Sequence, residues 1–231
     1  LLQKTYVLGD LHNNYKGLMQ LFEKVNFNPK NDALYFIGDI FEGTAKDSYE
    51  CLKELSKINH LYPCMGNHDL WVKQWIITGK INKSWLKSGG SITIENLTKH
   101  EDYLILLSDY FKKVKYWYNY NQYFLCHAGF DTRKSVTSQK EINFTINRSL
   151  WQKALVADSQ NKKLKYNFNN MNFTFEKVII GHTPTTSHKP EILSNVINID
   201  TGSGNVGRLT LMDLNNQEYY QSDLLKKLYK L

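Results

Sequence analysis

An α/β fold with parallel strands is predicted by three features of the sequence. Short apolar runs alternate with amphipathic helical stretches through the first part of the chain. Each of those early runs ends in a Gly-Asp or Gly-Asn pair. The last part holds more candidate strands than candidate helices. A strand-helix-strand order of this kind requires helical crossovers between parallel neighbours.

The elements follow in order. Residues 5–8 form a first apolar strand. Leu18, Leu21, Phe22 and Val25 then recur at the spacing of one helix face. Residues 33–37 form a second strand. Cys51, Leu52, Leu55 and Ile58 mark a second helix, with Asp47 or Ser48 as its N-cap. Residues 61–65 form a third strand. Residues 70–111, rich in Trp, Leu and Ile, read as helical with a break at Gly89-Gly90. Residues 113–118 and 123–126 read as a hairpin, in which Tyr116, Tyr118 and Tyr120 would share one face. Late strands are expected at 177–180, 196–199 and 209–214. The Asn-rich stretch 167–172 reads as a loop or hairpin tip, and the leucines at 224, 225 and 228 as a short helix that docks on the body or on a partner.

Composition bounds the function. With 231 residues, 42% hydrophobic and 22% charged, the chain reads as a single globular domain spanning residues 1–231. No apolar run approaches the ~20 residues of a membrane helix, and residues 1–8 read as a buried strand rather than a signal peptide. No membrane association and a cytoplasmic location are expected. Cys51, Cys64 and Cys126 sit among apolar neighbours without a CxxC pair, as reduced core residues do. The net charge of +7 favours anionic ligands. However, the lysines are scattered, the chain is crowded with Asn, and only Arg133, Arg148 and Arg208 are arginines. That pattern is compositional bias, so nucleic acid is not the expected partner.

The chemistry sits at the strand ends. The first gives Gly9-Asp10-Leu11-His12-Asn13, the second Gly38-Asp39-Ile40-Phe41-Glu42, and the third Gly66-Asn67-His68-Asp69. Later come Cys126-His127-Ala128-Gly129 and Gly181-His182-Thr183-Pro184. Ligands of open α/β sheets bind beyond the carboxyl ends of strands. Asp, His and Asn are donors for divalent metals. Taken singly, each motif has a plain reading: an N-cap Asp, a core His, a turn. Taken in this order, Asp10, His12, Asp39, Asn67, His127 and His182 supply enough donors for two ions, and one shared carboxylate would suit in-line phosphoryl displacement.

These segments resemble the calcineurin-like metallophosphoesterases. The matching stretches are GDLHNN, GDIFEG, GNHD, HAG and VIIGHTPT, with INIDTGSGNVGRLTLMDL resembling the closing strands. The nearest branch is the phosphoprotein phosphatases, including bacterial and phage serine/threonine phosphatases and symmetrical dinucleoside tetraphosphatases. The resemblance implies an αββα sandwich of two mixed sheets with a metal site at its edge. It implies Asp10 and His12 on one ion, Asn67, His127 and His182 on the other, and Asp39 on both. It further implies manganese, with iron or zinc as alternatives, and a metal-bridging hydroxide that attacks phosphorus. His68 would be the general acid, and Glu42 the acidic residue that orients it.

Two departures stand out. Glu42 replaces the family's Asp, so its bond to His68 would need some adjustment. Gly43 stands where the family has a phosphate-gripping Arg. Lys46 and Arg148 are the candidates to bind substrate phosphate in its place, with Lys153 behind Arg148. The resemblance puts a phosphorylated protein first as substrate. A dinucleoside polyphosphate or nucleotide comes second, a non-catalytic metal-binding scaffold third, and a nucleic-acid phosphodiesterase last.

Overall fold

The computed structural model describes residues 4–164 and 175–231. Two five-stranded sheets form its centre. In the first sheet, β1 (Thr5–Leu8), β2 (Ala33–Phe36) and β3 (His60–Pro63) run parallel. The connections between them are α1 (Tyr15–Val25) and α2 (Ser48–Ser56), the predicted crossovers. Four helices follow β3: α3 (Asn67–Thr78), α4 (Lys83–Lys87), α5 (Gly90–Thr98) and α6 (Tyr103–Lys113). Gly89, at φ 106°, makes the break before α5 that the Gly-Gly pair predicts.

The second sheet begins with the hairpin β4 (Trp117–Tyr120) and β5 (Tyr123–Cys126). The helices α7 (Asn143–Ile146) and α8 (Ser149–Leu164) lead on to β6 (Lys177–Ile180). β7 (Glu191–Leu193) and β8 (Val196–Asn198) complete that sheet in the order β4-β5-β6-β8-β7. The chain then returns to the first sheet as β9 (Thr210–Asp213), antiparallel to β1, with β10 (Tyr219–Gln221) at its edge. A last helix, α9 (Leu225–Tyr229), packs beside α1.

Side-chain alternation builds the layers. Successive strand residues point to opposite faces. Tyr6, Leu8, Leu34, Phe36 and Leu211 face the helices of the first half. Val7, Tyr35, Ile37 and Met212 face the other sheet and meet Tyr123, Leu125, Ile179 and Ile197 there. Phe124, Cys126, Val178 and Ile180 turn outward onto Phe144, Leu150, Trp151 and Ala154 of α7 and α8. The result is helix, sheet, sheet, helix. Both faces of each sheet are covered, which is why the parallel strands read as unbroken apolar runs.

Several local expectations are refined. Asp47 is the N-cap of α2, but its side chain makes no capping bond. Tyr118 and Tyr120 pack between the sheets against Tyr35, whereas Tyr116 lies before β4 and packs with the outer layer. The hairpin tyrosines are therefore core. All three cysteines are buried and free. The Asn-rich stretch 167–172 lies outside the described residues. No described helix is long and apolar enough to cross a membrane.

Candidate metal centre

Strands β1, β2, β3, β5 and β6 deliver Asp10, Asp39, Asn67, His127 and His182 to one end of the two sheets. The loops there are bent sharply. His12, Asn13, Asp39, Glu42 and His182 all have positive φ, between 48° and 65°. For a non-glycine residue this left-handed region costs on the order of 1 kcal/mol each. Strain of this kind collects where a site must aim side chains. Here it is held by hydrogen bonds: Leu11 N and His12 N both donate to Asp39 O, at 3.1 and 2.8 Å, and Asn13 N donates to Ile40 O at 2.7 Å. Asp69, next to His68, points away from the site. Its carboxylate accepts from the backbone N–H of Asp39, Ile40 and Gly66 at 2.8, 2.9 and 3.1 Å, fixing the second loop to the third.

The donors form two groups that share Asp39. Asp10, His12 and Asp39 make one, and Asp39, His127 and His182 the other, with ligand atoms within 4.8 Å of one another in each. Asp39 Oδ2 lies 3.7 Å from His12 Nε2 and 3.3 Å from His127 Nε2. Asn67 Oδ1 and His182 Nδ1 stand 3.1 and 3.2 Å from that same His127 nitrogen. All six residues predicted to hold metal are thus brought together.

The residues fit divalent cations on chemistry that this chain shows. Asp10 Oδ1 is fully buried without any hydrogen-bond partner, while Oδ2 accepts from His182 N at 2.9 Å. A buried carboxylate oxygen left bare is costly unless a cation meets it. His12 Nδ1 faces only the carbonyls of Phe41 and Glu42, at 3.1 and 2.9 Å, and His127 Nδ1 faces Ile37 O at 3.0 Å. Each Nδ1 therefore carries the proton it donates, which leaves Nε2, the nitrogen beside Asp39, as the one that would meet a cation, as in metal-ligating histidines. Gly66 and Gly181 complete the cradle, since a Cβ would collide with Asp39 Oδ1 at the first and Asp10 Oδ1 at the second.

The electrostatics agree. Burial alone would lift Asp39, but His127 and His68 outweigh it and hold the carboxyl far below its ordinary range. Burial would depress His127, yet Asp39 and Asp10 push it up to about 10. His182 is driven down to about 3 by burial, with His127 and Arg148 adding to it, which keeps it neutral.

Beside the centre sits a histidine–carboxylate pair. His68 Nδ1 is 2.8 Å from Glu42 Oε2. The bond forms directly despite the extra methylene, with Glu42 in the left-handed region at φ 59°. The other oxygen, Oε1, accepts from Trp85 Nε1 at 2.6 Å and Thr93 Oγ1 at 2.9 Å. Burial opposes protonation of His68, but Asp39 and the Glu42 hydrogen bond overcome it and raise its pKa. Trp85 and Thr93 are functional neighbours that no sequence signal marks. Asp200, buried at the cleft and facing His12, was also missed. Its signal was available: it follows the strand at 196–199 as Asp10 and Asp39 follow theirs.

Gly43 explains its own identity. At φ 140°, a Cβ there would stand 2.7 Å from His12 O and 3.0 Å from Gly204 O. The loop at 202–207 fills the space where a side chain would begin. Of the two substitute cations, Arg148 comes nearer the centre: it is exposed, but its Nη1 donates to Thr183 Oγ1 at 3.2 Å beside His182, on which its charge acts. Lys46 is exposed too, and its charge acts on Glu95 of α5; neither residue lines the cleft. Lys153 reaches Thr132. The cleft itself has a volume of about 280 Å³ and is lined by His12, Glu42, His68, Asp200 and Asn205, among others, with no Phe, Tyr or Trp.

The layered fold and the shared-carboxylate centre are those of a phosphoesterase with a candidate two-cation site. The chain belongs to the calcineurin-like phosphoesterases, whose family profile matches residues 3–214. Over 67 residues it is 43% identical to the symmetrical bis(5'-nucleosyl)-tetraphosphatase of Haemophilus influenzae (strain PittEE), a stretch covering 29% of this chain and 24% of that relative. A crystal structure provisionally described as a diadenosine tetraphosphatase superposes with a TM-score of 0.66 at 17% identity, covering 95% of this chain and 92% of the other. The cold-active protein-tyrosine phosphatase of a Shewanella species gives 0.56 at 15%, over 96% and 81%. At those identities the structural likeness establishes the fold.

Proposed function

We infer that this chain is a metal-dependent phosphoesterase that hydrolyses a dinucleoside polyphosphate. One observation carries the hydrolytic reading: Asp39 Oδ2 lies between two groups of donors, and the His68–Glu42 pair stands next to them. Two divalent cations held by Asp10, His12, Asp39, Asn67, His127 and His182 would polarise the phosphoryl group and lower the pKa of water toward neutrality. The chain's own residues do the rest. His68, whose protonated form is favoured, against burial, by Asp39 and by the hydrogen bond to Glu42, donates to the leaving oxygen. Trp85 and Thr93 hold Glu42 so that the ring does not swing. Arg148 grips a non-bridging oxygen from the His182 side. A scaffold would have no use for so well-supported an acid.

The identity with symmetrical tetraphosphatases supports the dinucleotide and moves it ahead of the phosphoprotein that the sequence motifs put first. The cleft is small and has no Phe, Tyr or Trp in its lining, which suits a phosphate chain with the nucleosides outside it. That lack of aromatic lining also suits a phosphorylated side chain on a polypeptide, the second reading. The two are separated by comparing kcat/KM on a symmetrical dinucleoside tetraphosphate and on a phosphopeptide, both with Mn. Release of two nucleoside diphosphates at the higher kcat/KM supports the first. A tenfold preference for the peptide replaces it with the second, and a protein that binds no metal sinks both.

A further inference from the structure

The family profile ends at residue 214, yet the chain continues as β10 and α9 and folds back along α1. This added segment is tied down at several points. Lys24 Nζ donates to Gln221 O at 2.7 Å, and Asp223 N donates to Gln20 Oε1 at 2.7 Å. Leu225 is fully buried, and its N–H donates to Gly207 O at 2.9 Å, at the end of the loop that closes over Gly43.

Its last contact is the informative one. The Tyr229 hydroxyl accepts from Lys16 N at 3.1 Å and donates to Asp47 Oδ2 at 2.7 Å, with Asn13 O a longer 3.4 Å away. Lys16 Nζ lies over the Tyr229 ring at 4.7 Å and donates to Leu228 O. Lys16 belongs to the first turn of α1, where backbone N–H groups lack helical partners. Asp47 is the N-cap of α2, and it makes no capping bond of its own. So one phenol joins the starts of two helices. Each follows directly on a loop of the centre: Asp10 and His12 precede α1, and Asp39 and Glu42 precede α2.

We propose that Tyr229 is a positioning residue that sets the spacing between the Asp10–His12 loop and the Asp39–Glu42 loop, and so the affinity of the cation site built from Asp10, His12 and Asp39. The proposal rests on the two-cation reading of the centre. The loops it joins carry consecutive left-handed residues, His12 and Asn13, which relax unless their surroundings hold them. A brace at the helix starts restrains that relaxation without touching substrate. Partners of this remote kind act on the metal through ligand orientation.

The test measures Mn binding by calorimetry and amide hydrogen exchange in wild type, Y229F, D47A and the double variant, with Y220F as a control at a surface tyrosine bonded to Glu218. The expected result is a loss of about tenfold in affinity at one of two Mn sites in Y229F and D47A, with the double variant no weaker than either. D47N, which keeps an acceptor oxygen, recovers most of the loss. Exchange rises at residues 13–17 in Y229F and not in Y220F. Two Mn sites of unchanged affinity in Y229F overturn the proposal and leave the phosphoesterase reading standing. An equal fall at both sites, matched by a fall in melting temperature, also overturns it, because Tyr229 is then only a stability element. A wild type that binds no Mn overturns both readings.

Discussion

His68 Nδ1 and Glu42 Oε2 are 2.8 Å apart, and the same carboxylate is fixed from behind by Trp85 and Thr93. An acid acts in its protonated form, so its activity is present below its pKa and lost above it. The raised pKa of His68 carries activity to higher pH. Against the effect of burial, Asp39 contributes most to that rise, and Glu42→Gln removes the contribution of the hydrogen-bonded carboxylate. The alkaline limb of kcat should therefore move to lower pH, and kcat at neutral pH should fall by about 10²-fold. Alkyl phosphates, whose leaving groups need the proton, should suffer more than aryl phosphates. An unchanged pH profile would remove Glu42 from this role.

Trp85→Phe replaces the buried indole with a smaller phenyl ring and removes the N–H. The buried Glu42 Oε1 then keeps only Thr93 as donor. Stability should fall by about 1–3 kcal/mol, read as a shift of the urea midpoint, and part of the Glu42→Gln pH effect should appear with it.

Asp39→Asn should disable both donor groups at once, since both contain Asp39. The metal content measured by elemental analysis should drop at both sites, and turnover should fall by at least about 10²-fold. Loss of one ion alone would show that Asp39 is not shared.

Protons and cations compete for this centre. Asp39 and Asp10 hold a proton on His127 up to about pH 10, and a ligating histidine must release it. Mn affinity should therefore strengthen as pH rises from 6 to 8, with net proton release in calorimetry. Chelation at neutral pH should abolish turnover, and added Mn should restore it.

Arg148→Ala should raise KM for phosphate substrates by roughly 10-fold or more, the loss of one charge-assisted hydrogen bond. Arg148→Lys should recover only part of it, because a point charge cannot replace a planar fork. Lys46→Ala, at a residue away from the centre, should leave KM near wild type.

Most of the centre was legible because its residues obey a local rule. Asp10, Asp39, Asn67, His127 and His182 each stand one or two residues past an apolar run, and Leu18, Leu21, Phe22 and Val25 announce the helix face behind the first of them. What stayed hidden depends on distant pairing. Trp85 and Thr93 meet Glu42 only after α4 and α5 have folded over the cleft, and neither has a spacing relative to residue 42 that signals it. β7 and β10 have three residues each, too few to show alternation. Lys46 has the right charge close in sequence to Gly43, but it lies away from the centre, whereas Arg148 comes in from the junction of α7 and α8 to meet Thr183.

Gly43 has an implication for how this sequence can change. A side chain there meets His12 O and Gly204 O at once, and Gly204 is itself confined, since a Cβ on it would stand 2.7 Å from the His12 ring. Both glycines thus close on His12 from different sides. Gly43→Arg, however useful a guanidinium would be to a phosphate, is a dead end while the 202–207 loop keeps its course. Change at either position is open only to a lineage that alters both segments together, which makes this pair of loops a single unit of inheritance although more than 150 residues separate them.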